Sequence, residues 1–265
     1  MWCRKSGKRR QIWAGILGYW DIGYWRLSFS LQPVQAFQAN LFNLVTIQPF
    51  STLKPCNPYT MFIAKTPKLI QAFMPKYVWN IPTDERVMYL TFDDGPIPEV
   101  TPWVLDTLRS FGARATFFCV GDNVVKHPSI FKQVLDEGHA VGNHTFNHLN
   151  GWQTAPVVYL NNVRRCARVV DSRLFRPPYG RLTPRQRAVI ERHYSIIMWD
   201  VLSGDYDAEM PPEQCLRNIL DNAGPGSIVL MHDSLKAERN MRFALPALLE
   251  HFAGQGYRFE RIDEG

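Results

Sequence analysis

The feature that most constrains the fold is an alternation of short apolar runs with longer amphipathic stretches, from Val87 almost to the end of the chain. Short runs rich in β-branched and aromatic residues predict buried strands, and the stretches between them predict helices that cover a sheet. The predicted strands are 87–92, 115–120, 140–143, 173–176, 194–199, 227–231 and 257–261. The predicted helices are 101–111, 122–137, 155–171, 183–192, 211–223 and 239–255. This alternation indicates one α/β domain with a parallel sheet, either an open wound sheet or a barrel.

Polar residues follow the predicted strands at their carboxyl ends, where βα barrels have their active sites. They are Asp93 and Asp94 after the first strand, His144 after the third, Arg176 after the fourth, Asp200 after the fifth and His232 after the sixth. Because the carboxyl ends of parallel strands meet at one rim, these side chains are expected to converge on a single site.

The adjacent acids Asp93 and Asp94 end an apolar run, and Gly95-Pro96 then predicts a turn. Side chains alternate along a strand, so the two carboxylates are expected to point in different directions and to do different work. Burying them requires a cation or hydrogen-bond donors. The segment Thr91–Gly95 by itself fits two interpretations equally well. One is a solvated Asp-Asp-Gly turn, and the other is a metal ligand beside a proton acceptor.

His144 and His148 are four residues apart, the spacing at which two imidazoles on a helical turn share one metal ion. A capped helix start with incidental histidines explains the pair equally well. Together with an acid near the first strand, they would form a set of three protein ligands. Three ligands leave a position open for water, which is typical of a catalytic metal site and not of a structural one.

Five ordered blocks of the chain resemble those of the NodB-homology polysaccharide deacetylases, carbohydrate esterase family 4. The blocks are Thr91–Gly95, His144–His148, Arg176–Gly180, Trp199-Asp200 with Asp205, and Val229–Asp233. The resemblance covers roughly residues 86–260 and implies a distorted (β/α) barrel with about seven parallel strands. It also implies a hydrolase of carbon–nitrogen bonds other than peptide bonds, which removes acetyl groups from N-acetylated sugars.

The resemblance implies a role for each matching residue. Asp94, His144 and His148 would hold one divalent metal ion, usually zinc, with cobalt or nickel able to substitute. Asp93 would be the general base, and His232 the general acid that protonates the departing amine.

The remaining site residues would orient these groups or contact the substrate. Arg176 is expected to pair with Asp93, and Asp200 is expected to hydrogen-bond His232 and raise its pKa. The backbone N–H of Tyr179 would help to hold the oxyanion. Trp199 and Tyr206 are candidates for the substrate groove, although ordinary core packing explains each aromatic equally well. The fourth block is longer than the common family pattern and ends in Tyr206, which leaves the substrate preference open.

Three segments are expected along the chain: a poorly ordered or spurious extension at 1–60, a lead-in at 61–85, and the deacetylase-like domain at 86–262. Residues 1–60 hold seven of the 30 Lys/Arg and one of the 24 acids, so the remainder has 23 of each. A neutral main domain gives no electrostatic case for a nucleic-acid partner. No apolar run predicts a transmembrane span. Residues 62–79 predict a helix packed on the domain, with a peripheral membrane contact as the alternative.

The compartment is predicted from two weak signals. The apolar stretch after Arg10 is short and is stopped by Asp21, so 1–60 contains no convincing signal peptide. Five cysteines without a CxxC motif predict reduced, mostly buried thiols. A monomer in the cytoplasm or at the inner face of the membrane is therefore expected, with export as the alternative and an N-acetylated glycan or glycan precursor as the substrate.

Two other functions stay open at this point. One is hydrolysis of O-acetyl esters or of other non-peptide amides and imides on the same scaffold. The other is a non-catalytic carbohydrate-binding module, which predicts the loss of at least one residue among Asp93, His144, His148 and His232. All four are present, which disfavours it.

Overall fold

The computed structural model describes residues 62–263, so the predicted extension at 1–60 lies outside the described residues. The strands are β1 Tyr77–Val78, β2 Val87–Asp93, β3 Ala115–Cys119, β4 Ala140–Asn143, β5 Leu174–Phe175, β6 Ser195–Ile197, β7 Val201–Leu202, β8 Ile228–His232 and β9 Arg258–Phe259. The helices are α1 Lys68–Phe73, α2 Thr101–Ser110, α3 Gly121–Lys126, α4 Pro128–Asp136, α5 Pro156–Cys166, α6 Pro184–Ile190, α7 Pro212–Leu220 and α8 Glu238–Gly254, with a 3₁₀ turn at Pro178–Gly180.

The strands form one curled sheet in the order β1-β6-β5-β4-β3-β2-β8-β7, and β9 pairs with the start of β2. Neighbouring named strands run parallel, from the β1–β6 pair at one edge to the β7–β8 pair at the other. This architecture confirms the predicted α/β fold with its parallel sheet and its covering helices. It also brings the carboxyl ends of β2, β4, β5 and β8 to one rim.

The alternation of β2 separates the core from the site. Leu90 and Phe92 are fully buried and belong to the apolar cluster that the sheet shares with α2 and α8. Thr91 and Asp93 point to the opposite face of the strand, where both accept hydrogen bonds from Arg176. Strand periodicity therefore places the last carboxylate of β2 inside the curled sheet.

The lead-in segment connects the two edges of the sheet. At one edge, the backbone N–H of Thr66 donates to Asp200 (2.8 Å) and that of Leu202 donates to Ala64 (2.8 Å). At the other edge the same segment supplies β1, which pairs with β6. Residues 62–85 thus bridge the gap that a sheet of the predicted strands alone would leave open.

Differences from the predicted elements have local causes. Strands β1 and β7 were not predicted, because β1 lies within the stretch 62–79 that predicts a helix, and β7 is an isolated apolar pair too short to show a period. The helix predicted at 122–137 is two helices that meet at His127-Pro128, where proline favours a new helix start. The helix predicted within 62–79 is confined to α1, which has no buried residue and exposes Leu69 and Phe73.

Two further predictions concern the cysteines and the membrane. Cys119, Cys166 and Cys215 are buried free thiols, as expected for the cysteines within residues 62–263. Over the same residues, every helix is too short or too polar to cross a bilayer.

Buried His139 predicts a pH-dependent stability. Its Nδ1 accepts the Ala115 N–H at 3.1 Å, and burial lowers its pKa to about 4. The neutral ring therefore stabilises the fold fully above the ordinary histidine pKa of about 6.5, and this contribution, on the order of 3 kcal/mol, is lost as the pH falls towards 4. Urea denaturation at pH 7 and pH 4.5 should show a smaller pH dependence for His139→Asn than for the native chain. Equal pH dependence in the two proteins would contradict this assignment.

Candidate active site and metal centre

Asp94, His144 and His148 form a candidate metal centre at the rim. The Nε2 atom of His148 lies 3.2 Å from Asp94 Oδ1, and that of His144 lies 3.9 Å from the same oxygen. Their ligand atoms all fall within 4.8 Å of one another, and no other group of three such side chains is found within residues 62–263. Ligands at about 2.0–2.2 Å from a tetrahedral ion are about 3.3 Å apart, so this set of two imidazoles and a carboxylate fits a divalent ion such as zinc.

A loop brings the two histidines together. Residues 144–148 leave β4 without forming a helix, and Thr145 (φ 63°) and His148 (φ 52°) both adopt the left-handed conformation. Asn143 and Asn162 accept loop N–H groups at 2.9 and 2.8 Å, which replaces the partners that a helix would supply. The predicted helical turn is therefore wrong, although the rings do converge, with their centroids 5.1 Å apart.

The surroundings of these ligands favour the protonation states that bind a metal. His144 Nδ1–H donates to the Arg176 carbonyl oxygen at 2.7 Å, because a carbonyl can only accept, and Nε2 keeps its lone pair. Burial lowers the pKa of His144 to about 4, so the ring is neutral at pH 7. Burial by itself raises the pKa of Asp94, but the hydrogen bond to His148 and the neighbouring imidazoles outweigh it and hold that pKa well below its usual range.

Asp93 forms the predicted pair with Arg176. Arg176 Nη1 donates to Asp93 Oδ1 at 2.7 Å and to Thr91 Oγ1 at 2.8 Å, and the guanidinium also donates to two backbone carbonyls. The guanidinium carbon lies 4.1 Å from the centre of the Phe118 ring. This fully buried arginine fixes one oxygen of Asp93, while the other lies 3.7 Å from His144 Nε2, beside the metal ligands.

His232 is oriented by Asp205. Its Nδ1–H donates to Asp205 Oδ1 at 2.8 Å, and its backbone N–H donates to Oδ2 of the same carboxylate at 2.8 Å. Burial by itself lowers the pKa of His232, but the charge and hydrogen bond of Asp205 outweigh it and raise that pKa to about 9. The ring is therefore protonated at pH 7, with Nε2 left to donate.

The prediction that Asp200 would orient His232 is wrong, and strand β7 is the reason. Asp200 precedes β7 and lies at the start of β8, where it accepts the Ile228 N–H (3.0 Å) and pairs with Lys65 (2.7 Å). Asp205 follows β7 and therefore reaches the rim. The signal in the sequence was Val201-Leu202, an apolar pair that carries the chain from one end of the sheet to the other.

The catalytic candidates surround a cavity of about 290 Å³, with Asp93, Asp94, His144, His148 and His232 among its lining residues. Tyr179, Trp199 and Tyr206 supply aromatic walls at the positions expected from the sequence. Ser234 and Lys236 also line the cavity, although the sequence did not predict them as site residues. Only their closeness to His232 in the chain could have indicated them.

The backbone at Tyr179 suits a hydrogen-bond donor. Tyr179 adopts φ 60° and ψ 10°, and the next two N–H groups, of Gly180 and Arg181, donate to Pro177 and Pro178. Within the described part of the chain, nothing accepts a hydrogen bond from Tyr179 N–H. Its ring packs edge-on against His148 with centroids 4.7 Å apart, which places this residue beside the metal ligands.

A larger depression of about 870 Å³ lies at the opposite end of the sheet, lined by residues that include Arg114, Tyr89 and Arg258. Arg258 there pairs with Glu85 at 2.6 Å. The described residues that line the depression include no histidine and no group of three side chains placed to hold a metal ion. Chemistry and not volume therefore identifies the smaller cavity as the candidate active site.

A parallel βα sheet with a carboxylate–histidine metal set, a second carboxylate and a protonated histidine at its carboxyl rim defines a metal-dependent hydrolase. Comparison with known proteins narrows this class. Residues 80–194 match the model of the family described as polysaccharide deacetylase. A peptidoglycan-N-acetylglucosamine deacetylase of Bacillus cereus is 36% identical over 193 residues, which make up 70% of this chain and 91% of the relative.

Two further comparisons agree. A chitooligosaccharide deacetylase of Azorhizobium caulinodans is 39% identical over 162 residues, covering 58% of this chain and 77% of the relative. The crystal structure of the Bc1960 peptidoglycan N-acetylglucosamine deacetylase superposes with a TM-score of 0.67 and 30% identity, covering 74% of this chain and 95% of that one. The chain belongs to the polysaccharide deacetylase family, and the predicted family, fold and hydrolase class are confirmed.

Proposed function

We propose that this protein is a metal-dependent deacetylase that hydrolyses the acetamide of N-acetylglucosamine residues in a glycan and releases acetate. The observation that carries the proposal is that Asp93, the metal ligand set and His232 line one cavity. The similar proteins named for peptidoglycan N-acetylglucosamine and for chitooligosaccharides support the choice of sugar.

Zinc is the proposed ion, and Asp94, His144 and His148 would hold it. Two neutral imidazoles and one carboxylate are ligands that zinc binds readily, and cobalt or nickel would accept the same set. When bound, the ion supplies a Lewis acid that polarises the acetamide carbonyl and makes bound water more acidic.

Asp93 removes the proton from the attacking water. Arg176 holds one Asp93 oxygen at 2.7 Å, so the other oxygen faces the cavity in a fixed orientation. Negative charge that develops on the acetamide oxygen is stabilised by the Tyr179 N–H. The buried guanidinium therefore does not line the cavity but holds the base in its orientation.

His232 donates a proton to the sugar nitrogen as the carbon–nitrogen bond breaks. The water has supplied the oxygen that remains on acetate, and the two proton transfers leave a free amine on the sugar. Asp205 keeps the ring protonated before this step and supports the charge it carries. Trp199, Tyr206 and Tyr179 form apolar surfaces for the sugar ring and the acetyl methyl group.

Acetate release tests the proposal. The full-length protein should release acetate from N-acetylated chitooligosaccharides or peptidoglycan fragments, lose that activity in a chelator, and regain it when zinc is restored. Acetylated xylan and an empty-vector preparation serve as controls. A folded, zinc-loaded protein that releases no acetate from any N-acetylated sugar would overturn the proposal.

The same assay separates the alternatives. Release from O-acetyl esters alone would assign the scaffold to esters, and tight glycan binding without turnover would indicate a binding module. A location in the cytoplasm or at the inner face of the membrane, with export as the alternative, stays a prediction, as do peripheral membrane contact through the N-terminal region and the monomeric state. The exposed side chains of Leu69 and Phe73 on α1 bear on membrane contact.

A further inference from the structure

Asp233 follows the general acid His232 directly, yet it takes no part in the chemistry described above. Its side chain is fully buried and does not line the cavity. Its backbone N–H donates to the carbonyl oxygen of Asp93 at 3.1 Å, which extends the pairing of β8 with β2 by one residue. Asp233 thus lies where β8, which ends at the general acid His232, meets the end of β2, where Asp93 and Asp94 are found.

The carboxyl group of Asp233 holds the turn that carries Asp94. Its Oδ1 accepts the Gly95 N–H at 3.0 Å, and its Oδ2 accepts the Thr101 hydroxyl at 2.6 Å. The same hydroxyl accepts the Ile97 N–H at 2.7 Å. One side chain therefore fixes two backbone N–H groups of the turn, one directly and one through Thr101.

The chemistry of these contacts requires an acid at position 233. The Gly95 N–H donates to one side-chain oxygen and the Thr101 hydroxyl donates to the other, because that hydroxyl already accepts the Ile97 N–H, so both side-chain oxygens accept. An asparagine would present an N–H₂ group to one of these partners. If it faced Thr101, that hydroxyl would accept twice and its own hydrogen would be left buried without an acceptor, which destabilises the turn.

Gly95 allows this close approach. A Cβ added at residue 95 would overlap the Asp233 carboxyl group, so the turn and the acid fit only without a side chain there. Asp94, the preceding residue, has φ 84°, a conformation that a non-glycine residue adopts only when its surroundings impose it. Asn123 completes those surroundings by donating to the Asp94 carbonyl oxygen at 2.7 Å.

We propose that Asp233 is a positioning residue for the metal centre, which acts through Gly95 and Thr101 to hold Asp94 in ligand geometry. Hydrogen-bonded groups behind a metal ligand commonly change metal affinity by about 10–100-fold when they are removed. The proposal rests on the metal site proposed above. The Asp233 proposal is tested by metal binding and not by deacetylation, so it and the proposed deacetylase function can fail separately.

The test compares three variants of the full-length protein after removal of metal. Asp233→Asn disrupts the network at its centre, and Thr101→Val removes the hydroxyl link with little change of volume. Thr116→Val is the matched control, since Thr116 is equally buried and its hydroxyl accepts the Ile262 N–H at 2.8 Å, away from the turn. Zinc affinity is measured by competition with a chromogenic chelator, and the visible spectrum of the Co²⁺ form reports ligand geometry.

Asp233→Asn is expected to raise the Kd for zinc about 10–100-fold, and Thr101→Val several-fold, with an altered Co²⁺ spectrum in both. Thr116→Val should lower the Tm to a similar extent as Thr101→Val and leave zinc affinity and spectrum unchanged. If Asp233→Asn does not fold, Thr101→Val decides alone. Folded variants that bind zinc as the native protein does would overturn the proposal, and a native protein that binds no divalent ion would overturn it together with the metal site.

Discussion

An Asp93→Asn variant is expected to lose about 10³-fold in kcat while it still binds its metal ion. Removing a positioned general base typically lowers the rate by about 10²–10⁴-fold. The amide cannot take the proton of the attacking water, although it keeps the size of the carboxylate and one acceptor oxygen. Asp94, His144 and His148 remain unchanged, so zinc binding measured by competition should stay within a few-fold of the native value.

The same substitution should also destabilise the protein. It leaves Arg176 fully buried without its ion-pair partner, and removing one member of a buried pair typically costs about 3–5 kcal/mol. Three further contacts, to Thr91 and two backbone carbonyls, are expected to keep the loss near the lower value. Urea denaturation gives this figure, and activity is then measured under conditions in which the variant is folded.

Asp94→Asn is the matched control, one residue further along the chain. It should lose zinc affinity first and regain activity in part when zinc is in excess, whereas Asp93→Asn should not respond to added zinc. Full activity in Asp93→Asn would remove the proposed base. An equal loss of zinc affinity in both variants would show that both carboxylates bind the metal ion, and would contradict separate roles as general base and metal ligand.

Different directions for the Asp93 and Asp94 side chains could be predicted from strand alternation only in part. Asp93 ends β2 as the alternation requires, whereas Asp94 lies beyond the strand with φ 84°, so its direction depends on the turn and its hydrogen bonds. The convergence of His144 and His148 could be predicted as well, but by the wrong local structure. Their loop depends on backbone N–H groups that donate to the side-chain oxygens of Asn143 and Asn162, two residues that lie outside the spacing pattern.

Other features depend on contacts that no periodicity reveals. The role of residues 62–85 in bridging the sheet edges rests on a strand of two residues and on backbone hydrogen bonds to β7. Asp233 and Lys236 lie near His232 in the sequence, but only the three-dimensional structure separates a buried support from a cavity wall. Sequence thus predicted the strands and their rim well, and side-chain partners less well.

The substitution Asp205→Asn is expected to move the alkaline limit of activity downwards and to lower kcat at pH 7 by at least about fourfold. His232 has a pKa of about 9 because the Asp205 charge outweighs the effect of burial. Without that charge burial dominates, so the pKa should fall to or below the ordinary histidine value of about 6.5. The general acid is active when protonated, and its activity is therefore lost as the pH rises through its pKa. The pH profile of kcat should shift by about two units or more on its alkaline side.

Asp200→Asn is the matched control, because the sequence predicts for Asp200 the role that Asp205 fills. Its carboxylate binds Lys65, Ser227 and the Ile228 N–H at the start of β8, so this variant should lose stability and keep the native pH profile. The reverse outcome, a shifted profile for Asp200→Asn and a native one for Asp205→Asn, would reject the Asp205–His232 pair. Since β7 is what separates the two acids, the comparison also tests whether this two-residue strand sets which carboxylate reaches the rim.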